Sequence, residues 1–177
     1  MKPWLLLLAA CGSPGGDDQE LPDAAAPDAP PGCTRPALDA AFLRPLLANT
    51  VEQLALSPRS TTTQRDVART YLSDQLSMIG WTPQLQTYAG GANVVAVIPA
   101  TTGAAKAIIV GAHFDTVSGS PGANDNASGV AAVLAVARFL VDVPCRNAPV
   151  TVVFFDQEEV GLFGSRAFAQ TLAAADV

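Results

Sequence analysis

The sequence has one histidine, three cysteines, and only ten basic residues against sixteen acidic ones. The resulting net charge of −6 argues against nucleic acid or an anionic membrane surface as a partner, because both need a basic footprint. No apolar run approaches the roughly 20 residues needed to span a bilayer, and there is no internal repeat. Apolar residues make up 49% and charged residues 15%, which excludes the composition of a disordered chain. A length of 177 residues is enough for one domain with a buried core.

Residues 1–11 read as an export signal. Met1-Lys2 supplies a positive charge and Trp4 to Ala10 an apolar run, at the short end of the roughly 7–15 residues such signals use. Leu8-Ala9-Ala10-Cys11 resembles the bacterial lipoprotein cleavage motif, in which the cysteine becomes the lipidated N-terminus. The alternatives are an ordinary secretory signal or a plain apolar start. Residues 12–33 are rich in Pro, Ala, Gly and Asp and cannot bury enough surface to offset their ordering entropy, so they read as a solvated tether. The expectation is an exported cell-envelope lipoprotein, anchored through Cys11 rather than spanning the membrane. With Cys11 lipidated, Cys33 and Cys145 remain as an even pair in an oxidising compartment. A Cys33–Cys145 disulfide is expected; two separate thiols are the alternative.

Residues 34–177 carry the folded pattern. Leu46, Leu47, Val51, Leu54 and Ala55 recur at helical spacing, with Pro45 placed to open that helix. Thr63-Gln64-Arg65-Asp66 offers a capping-box-like start to a second helix. Its face would comprise Val67, Tyr71, Leu72, Leu76 and Ile79, and Gly80 would end it. Strands are expected over Trp81–Tyr88, Asn93–Ile98, Ala107–Ala112 and Val150–Phe155. Ser128–Leu140 reads as a helix burying Val130, Val133, Leu134, Ala137 and Leu140, and Ser165 can cap a last helix. Continuous apolar strands alternating with helices imply an α/β fold, with a mixed, partly parallel sheet buried on both faces by flanking helices.

The polar clusters fall at strand ends. One strand runs into His113-Phe114-Asp115, another into Asp156-Gln157-Glu158-Glu159, and the loop Gly122–Gly129 lies between them. In open α/β sheets, sites form beyond the carboxyl ends of strands. A lone histidine is more often a core or surface residue than a ligand. Asp125 by itself is a turn residue or helix cap, and Glu158-Glu159 an acidic pair at a helix start. Asp115, two residues from His113, changes that balance, since a carboxylate can fix the imidazole tautomer and strengthen its donor nitrogen. One imidazole and several carboxylates on one sheet edge point to a metal. Zinc suits those donors, with manganese or cobalt as alternatives.

Three ordered motifs carry a resemblance. Gly111-Ala112-His113-Phe114-Asp115, then Gly122-Ala123-Asn124-Asp125-Asn126-Ala127-Ser128-Gly129, then Phe155-Asp156-Gln157-Glu158-Glu159-Val160-Gly161 resemble those of the secreted di-zinc aminopeptidases, family 28 of the metallopeptidases in the MH clan. Asn93 to Pro99 resembles the strand before the histidine motif there, and the likeness runs from about Arg59 to Ser165. It implies the zinc-exopeptidase (phosphorylase/hydrolase-like) fold and two zinc ions per complete site. His113 would bind one ion, Asp125 would bridge both, and Glu159 would bind the second. Asp115 would orient the His113 ring, and Glu158 would be the general base for a metal-bridged hydroxide attacking N-terminal peptide bonds. Gly122, Asn126 and Gly129 would shape the loop.

The resemblance also implies a further aspartate and a histidine after the glutamate pair. Eighteen residues follow Glu159 without a histidine, and Asp176 comes too early to count. The expectation is therefore the N-terminal part of a longer enzyme, with the isolated 177-residue chain weak in metal binding and inactive. Two other readings remain: a one-zinc glutaminyl cyclase, and a non-catalytic binding domain of the same fold, such as the transferrin receptor ectodomain.

Overall fold

The computed structural model describes residues 32–33, 36–37, 39–103 and 106–175. The export signal with Cys11, nearly all of the tether, and Asp176 lie outside the described residues. The elements in chain order are α1 (Ala40–Leu54), α2 (Thr62–Met78), β1 (Gln84–Tyr88), β2 (Gly91–Ile98), β3 (Ile108–His113), α3 (Ser128–Val141), β4 (Val150–Phe155) and α4 (Phe163–Ala175). The α/β reading holds, and the sheet is mixed. Its order is β1-β2-β4-β3. β1 pairs antiparallel with β2, β2 antiparallel with β4, and β3 parallel with β4.

Several element boundaries differ from the sequence pattern, each for a local reason. α1 begins before Pro45, because the Asp39 carboxylate accepts the N–H groups of Ala41 and Phe42 and caps the helix there. Pro45 therefore sits inside α1, where its missing N–H leaves the Ala41 carbonyl without its helical donor. α2 is capped by Thr61 rather than Thr63, with Gln64 reaching back to the Thr61 N–H at 3.0 Å. Val67 is exposed; Arg65, Ala68, Leu72 and Leu76 form the buried face instead. β1 starts only at Gln84, since Trp81 turns into the core and donates its indole N–H to the Ala137 carbonyl at 3.1 Å. Ser165 lies within α4, and its hydroxyl donates back to the Leu162 carbonyl instead of capping.

The core lies between one face of the sheet and helices α1, α2 and α3. Val94, Ala96, Ala112, Val152 and Phe154 from the strands meet Leu54, Leu72, Leu76, Val130 and Leu134 from the helices. Among the described residues, α4 covers the opposite face, packing Phe168 edge-on against Phe155 at 5.8 Å. That cover is partial: Val97 and Ile108 stay about half exposed, so the sheet is not buried evenly on both sides. The expected disulfide joins Cys33 to Cys145 with a Cα–Cα distance of 5.3 Å. It ties the segment before α1 to the α3–β4 connection.

Candidate metal centre

The parallel pairing of β3 and β4 places His113 directly beside Phe155, so both strands end at the same sheet edge. The chain beyond His113 supplies Asp115, and the chain beyond Phe155 supplies Asp156 through Glu159. A wide turn over Ala123–Ala127 brings Asp125 back over that edge before α3 begins. His113 Nε2 lies 3.0 Å from Asp125 Oδ1 and 3.9 Å from Glu158 Oε2. One ligand atom each from His113, Asp125 and Glu159 falls within 4.8 Å of the others. The three predicted ligands and the predicted base therefore converge.

The turn depends on residues that leave no room for side chains. Gly122 has φ +60°, and a Cβ there would lie 2.2 Å from Thr116 Cγ2. A Cβ on Gly129 would lie 2.2 Å from Asn126 Oδ1, the atom that accepts the Gly129 N–H at 2.9 Å. The sequence motif is thus a packing requirement, with Asn126 fastening the turn to the first residues of α3.

Asp115 is buried, and its Oδ1 lies 3.5 Å from His113 Nδ1, too far for a hydrogen bond. Its two oxygens accept main-chain N–H groups, Oδ1 from Glu158 at 2.9 Å and Oδ2 from Glu159 at 3.1 Å. Asp115 thus holds the backbone of both glutamates while facing the imidazole, whose Nδ1 is buried without a hydrogen-bond partner.

The electrostatics follow from crowding. Burial pulls the His113 imidazole down, but Asp115, Glu158 and Asp125 together outweigh it and hold the ring above its ordinary pKa. The Glu159 carboxyl is pushed up by burial and by Asp125, Asp115 and Glu158, with only His113 opposing. A cluster of carboxylates this dense, with a single imidazole to balance it, is relieved by a bound cation. The donor set of one nitrogen and several carboxylate oxygens fits zinc.

A second polar cluster supports the glutamate loop from beneath. The Asp156 carboxylate, fully buried, meets Arg65 Nε at 2.8 Å and Arg69 Nη2 at 2.7 Å and accepts the Ala92 N–H. Burial raises its pKa, while Arg65, the Ala92 N–H and Arg69 draw it down. The Asn93 side chain accepts the Asp156 N–H at 3.0 Å and donates to the Gly164 carbonyl at 2.8 Å, spanning both ends of the loop that carries Glu158 and Glu159. Tyr88 donates its hydroxyl to the Asp156 carbonyl at 3.1 Å. The sequence reading gave none of these a role. A signal existed for Asn93, a polar residue opening an apolar strand, because buried amides need partners.

Residues 93–177 match the sequence model of Peptidase family M28. The segment is similar to peptidase family M28. The chain is 44% identical over 72 residues to "Probable lipoprotein aminopeptidase LpqL" of Mycobacterium tuberculosis, covering 41% of this chain and 14% of that protein. Its fold is similar to the LapA aminopeptidase of Legionella pneumophila, with TM-score 0.67, 22% identity, and 77% of this chain and 42% of that one covered. It is also similar to a glutaminyl cyclase of Porphyromonas gingivalis, with TM-score 0.56, 27% identity, and 69% of this chain and 48% of that one covered. The chain therefore spans less than half the length of each of these three proteins.

Proposed function

We propose that the chain provides the metal-holding and proton-transferring residues of a zinc aminopeptidase that removes N-terminal residues from peptides. The observation that carries this is the convergence of ligand atoms from His113, Asp125 and Glu159 within 4.8 Å, with the Glu158 carboxylate 3.9 Å from the same imidazole nitrogen. His113, Asp125 and Glu159 would hold zinc, with Asp125 the residue shared where two ions bind. Zinc held there would polarise the scissile carbonyl and bring a water pKa toward neutrality.

The chain's own residues do the rest. Glu158, left free of the ligand set, takes the proton of the attacking water and delivers it to the departing amine. Asp115 keeps that carboxylate in place by holding the Glu158 N–H. Burial of Asp115 against the imidazole biases His113 toward the tautomer whose Nε2 is free for a ligand. Peptides as the substrates rest on the likeness to aminopeptidases, and the net negative charge argues against nucleic acid as a partner.

Export as a lipoprotein anchored through Cys11 is part of the same proposal, supported by the Leu8-Ala9-Ala10-Cys11 motif and by the lipoprotein name of the mycobacterial relative. The cyclase likeness gives a second reading, cyclisation of N-terminal glutamine. Assay of the native protein on leucyl and glutaminyl peptides separates the two. Release of free leucine, abolished by a chelator and restored by zinc, is the expected result. Ammonia release from glutaminyl peptides without hydrolysis would favour the cyclase.

A further inference from the structure

Arg59 is 2% exposed, an unusual place for a guanidinium. Its hydrogen bonds go to main-chain carbonyls: Nε to Phe114 at 2.6 Å, Nη1 to Pro121 at 2.8 Å and also to Leu54, and Nη2 to Gly122 at 3.0 Å. Its own N–H donates to Thr116 Oγ1 at 2.9 Å, and its carbonyl accepts the Thr116 N–H. One planar group therefore joins the end of α1, the segment after β3, and the entry to the Asp125 turn.

The carbonyls it selects matter. Phe114 stands between His113 and Asp115. The Gly122 carbonyl also accepts the Ala127 N–H at 3.0 Å, closing the turn that carries Asp125. A Cβ at Gly122 would come within 2.6 Å of Arg59 Nη2, so the two segments are drawn as close to the guanidinium as backbone allows. Burying a charge is costly unless its donors are used. A rigid fork with five donors can serve carbonyls on separate segments, whereas the ammonium of lysine is a point.

We propose that Arg59 is a positioning residue that sets the separation of His113 and Asp125 by clamping the two segments that carry them. The inference rests on the metal-site reading given above, but its geometric part can be measured without metal. His113 is the chain's only histidine, so its imidazole NMR resonances report the His113–Asp125 contact directly.

The experiment compares Arg59→Lys, Arg59→Ala, Thr116→Val and Leu72→Ala in this chain. Leu72 is fully buried in α2 and touches neither segment's hydrogen bonds, so it controls for lost stability. Arg59→Lys should shift the metal-free His113 resonances and weaken zinc binding about 10–100-fold. Leu72→Ala should lower the melting temperature and leave both unchanged. Millimolar methylguanidinium should return the Arg59→Ala resonances toward wild type. Should the Arg59 variants not fold, Thr116→Val, which removes the hydroxyl fastening Arg59, must move the same resonances by a smaller amount. Wild-type resonances in Arg59→Lys or Thr116→Val, or equal shifts in Leu72→Ala, would overturn the proposal. Failure of the native protein to bind zinc would contradict the metal reading, and the resonances would still decide the role of Arg59.

Discussion

Asp115 Oδ1 accepts the backbone N–H of Glu158 at 2.9 Å, so the carboxylate facing the lone histidine also fixes the residue proposed to move the proton. Its other oxygen holds Glu159 in the same way, at 3.1 Å. Asparagine at this position keeps one acceptor but turns an amide N–H₂ toward the second backbone donor. Asp115→Asn should therefore weaken zinc binding about 10–100-fold, read by competition with a chromophoric chelator. Wild-type affinity would show that the glutamate backbone does not need both oxygens.

Glu158 is proposed to work on the proton and not on the metal. Glu158→Gln keeps the size and the Asp115 contact to its N–H but loses proton affinity. Zinc content should stay at the wild-type level while kcat falls about 10²–10⁴-fold in the active native protein. A variant with lost zinc and lost activity together would make Glu158 a ligand instead.

Asp156 balances two guanidinium groups, the buried Arg65 and the partly buried Arg69. Removing it leaves the buried Arg65 without its carboxylate, while Arg69 keeps only its exposed partner Asp66. Asp156→Ala should cost about 3–5 kcal/mol, lowering the melting temperature on the order of 10 °C in a domain of this size. Calorimetry showing a loss under about 1 kcal/mol, the range of exposed ion pairs, would place this cluster among surface interactions.

Tyr88 gives a pH dependence with a definite sign. Burial, Asp156 and Asp115 raise its phenol above the ordinary tyrosine value. The folded state thus holds its proton where the unfolded chain has released it. The corresponding stability is complete below about pH 10, the unfolded value, and declines as pH rises from there through the folded value. Denaturant titrations from pH 8 to 11 should show wild type losing more stability than Tyr88→Phe. Parallel losses in the two proteins would assign the decline to other groups.

The sequence was most legible where chemistry and periodicity are local. Val150–Phe155 and the helix opening at Ser128 follow directly from apolar patterning, and His113, Glu158 and Glu159 could be placed at one sheet edge because they stand at or just beyond the ends of β3 and β4, with Asp125 in the loop between. The start of α1 was hidden because one capping aspartate, Asp39, outweighs the helix-opening signal of Pro45. Val67 was misjudged because Arg65 and Arg69 turn inward to Asp156 and rotate the buried face of α2 toward a polar partner. Arg59 carried no signal at all, since three of its four partners are carbonyls 55 to 63 residues away that any residue type could supply.

The central claim is that His113, Asp125 and Glu159 hold one metal site. Anomalous diffraction at the zinc edge, from crystals of the protein equilibrated with zinc, locates the ion directly. The account predicts zinc within bonding distance of this ligand set, with His113 and Asp125 on one ion, Glu159 on the same ion or on a second that shares Asp125, and Glu158 unligated. Zinc seated elsewhere, or an ordered His113 that keeps Asp125 at hydrogen-bond distance under saturating zinc, would contradict it.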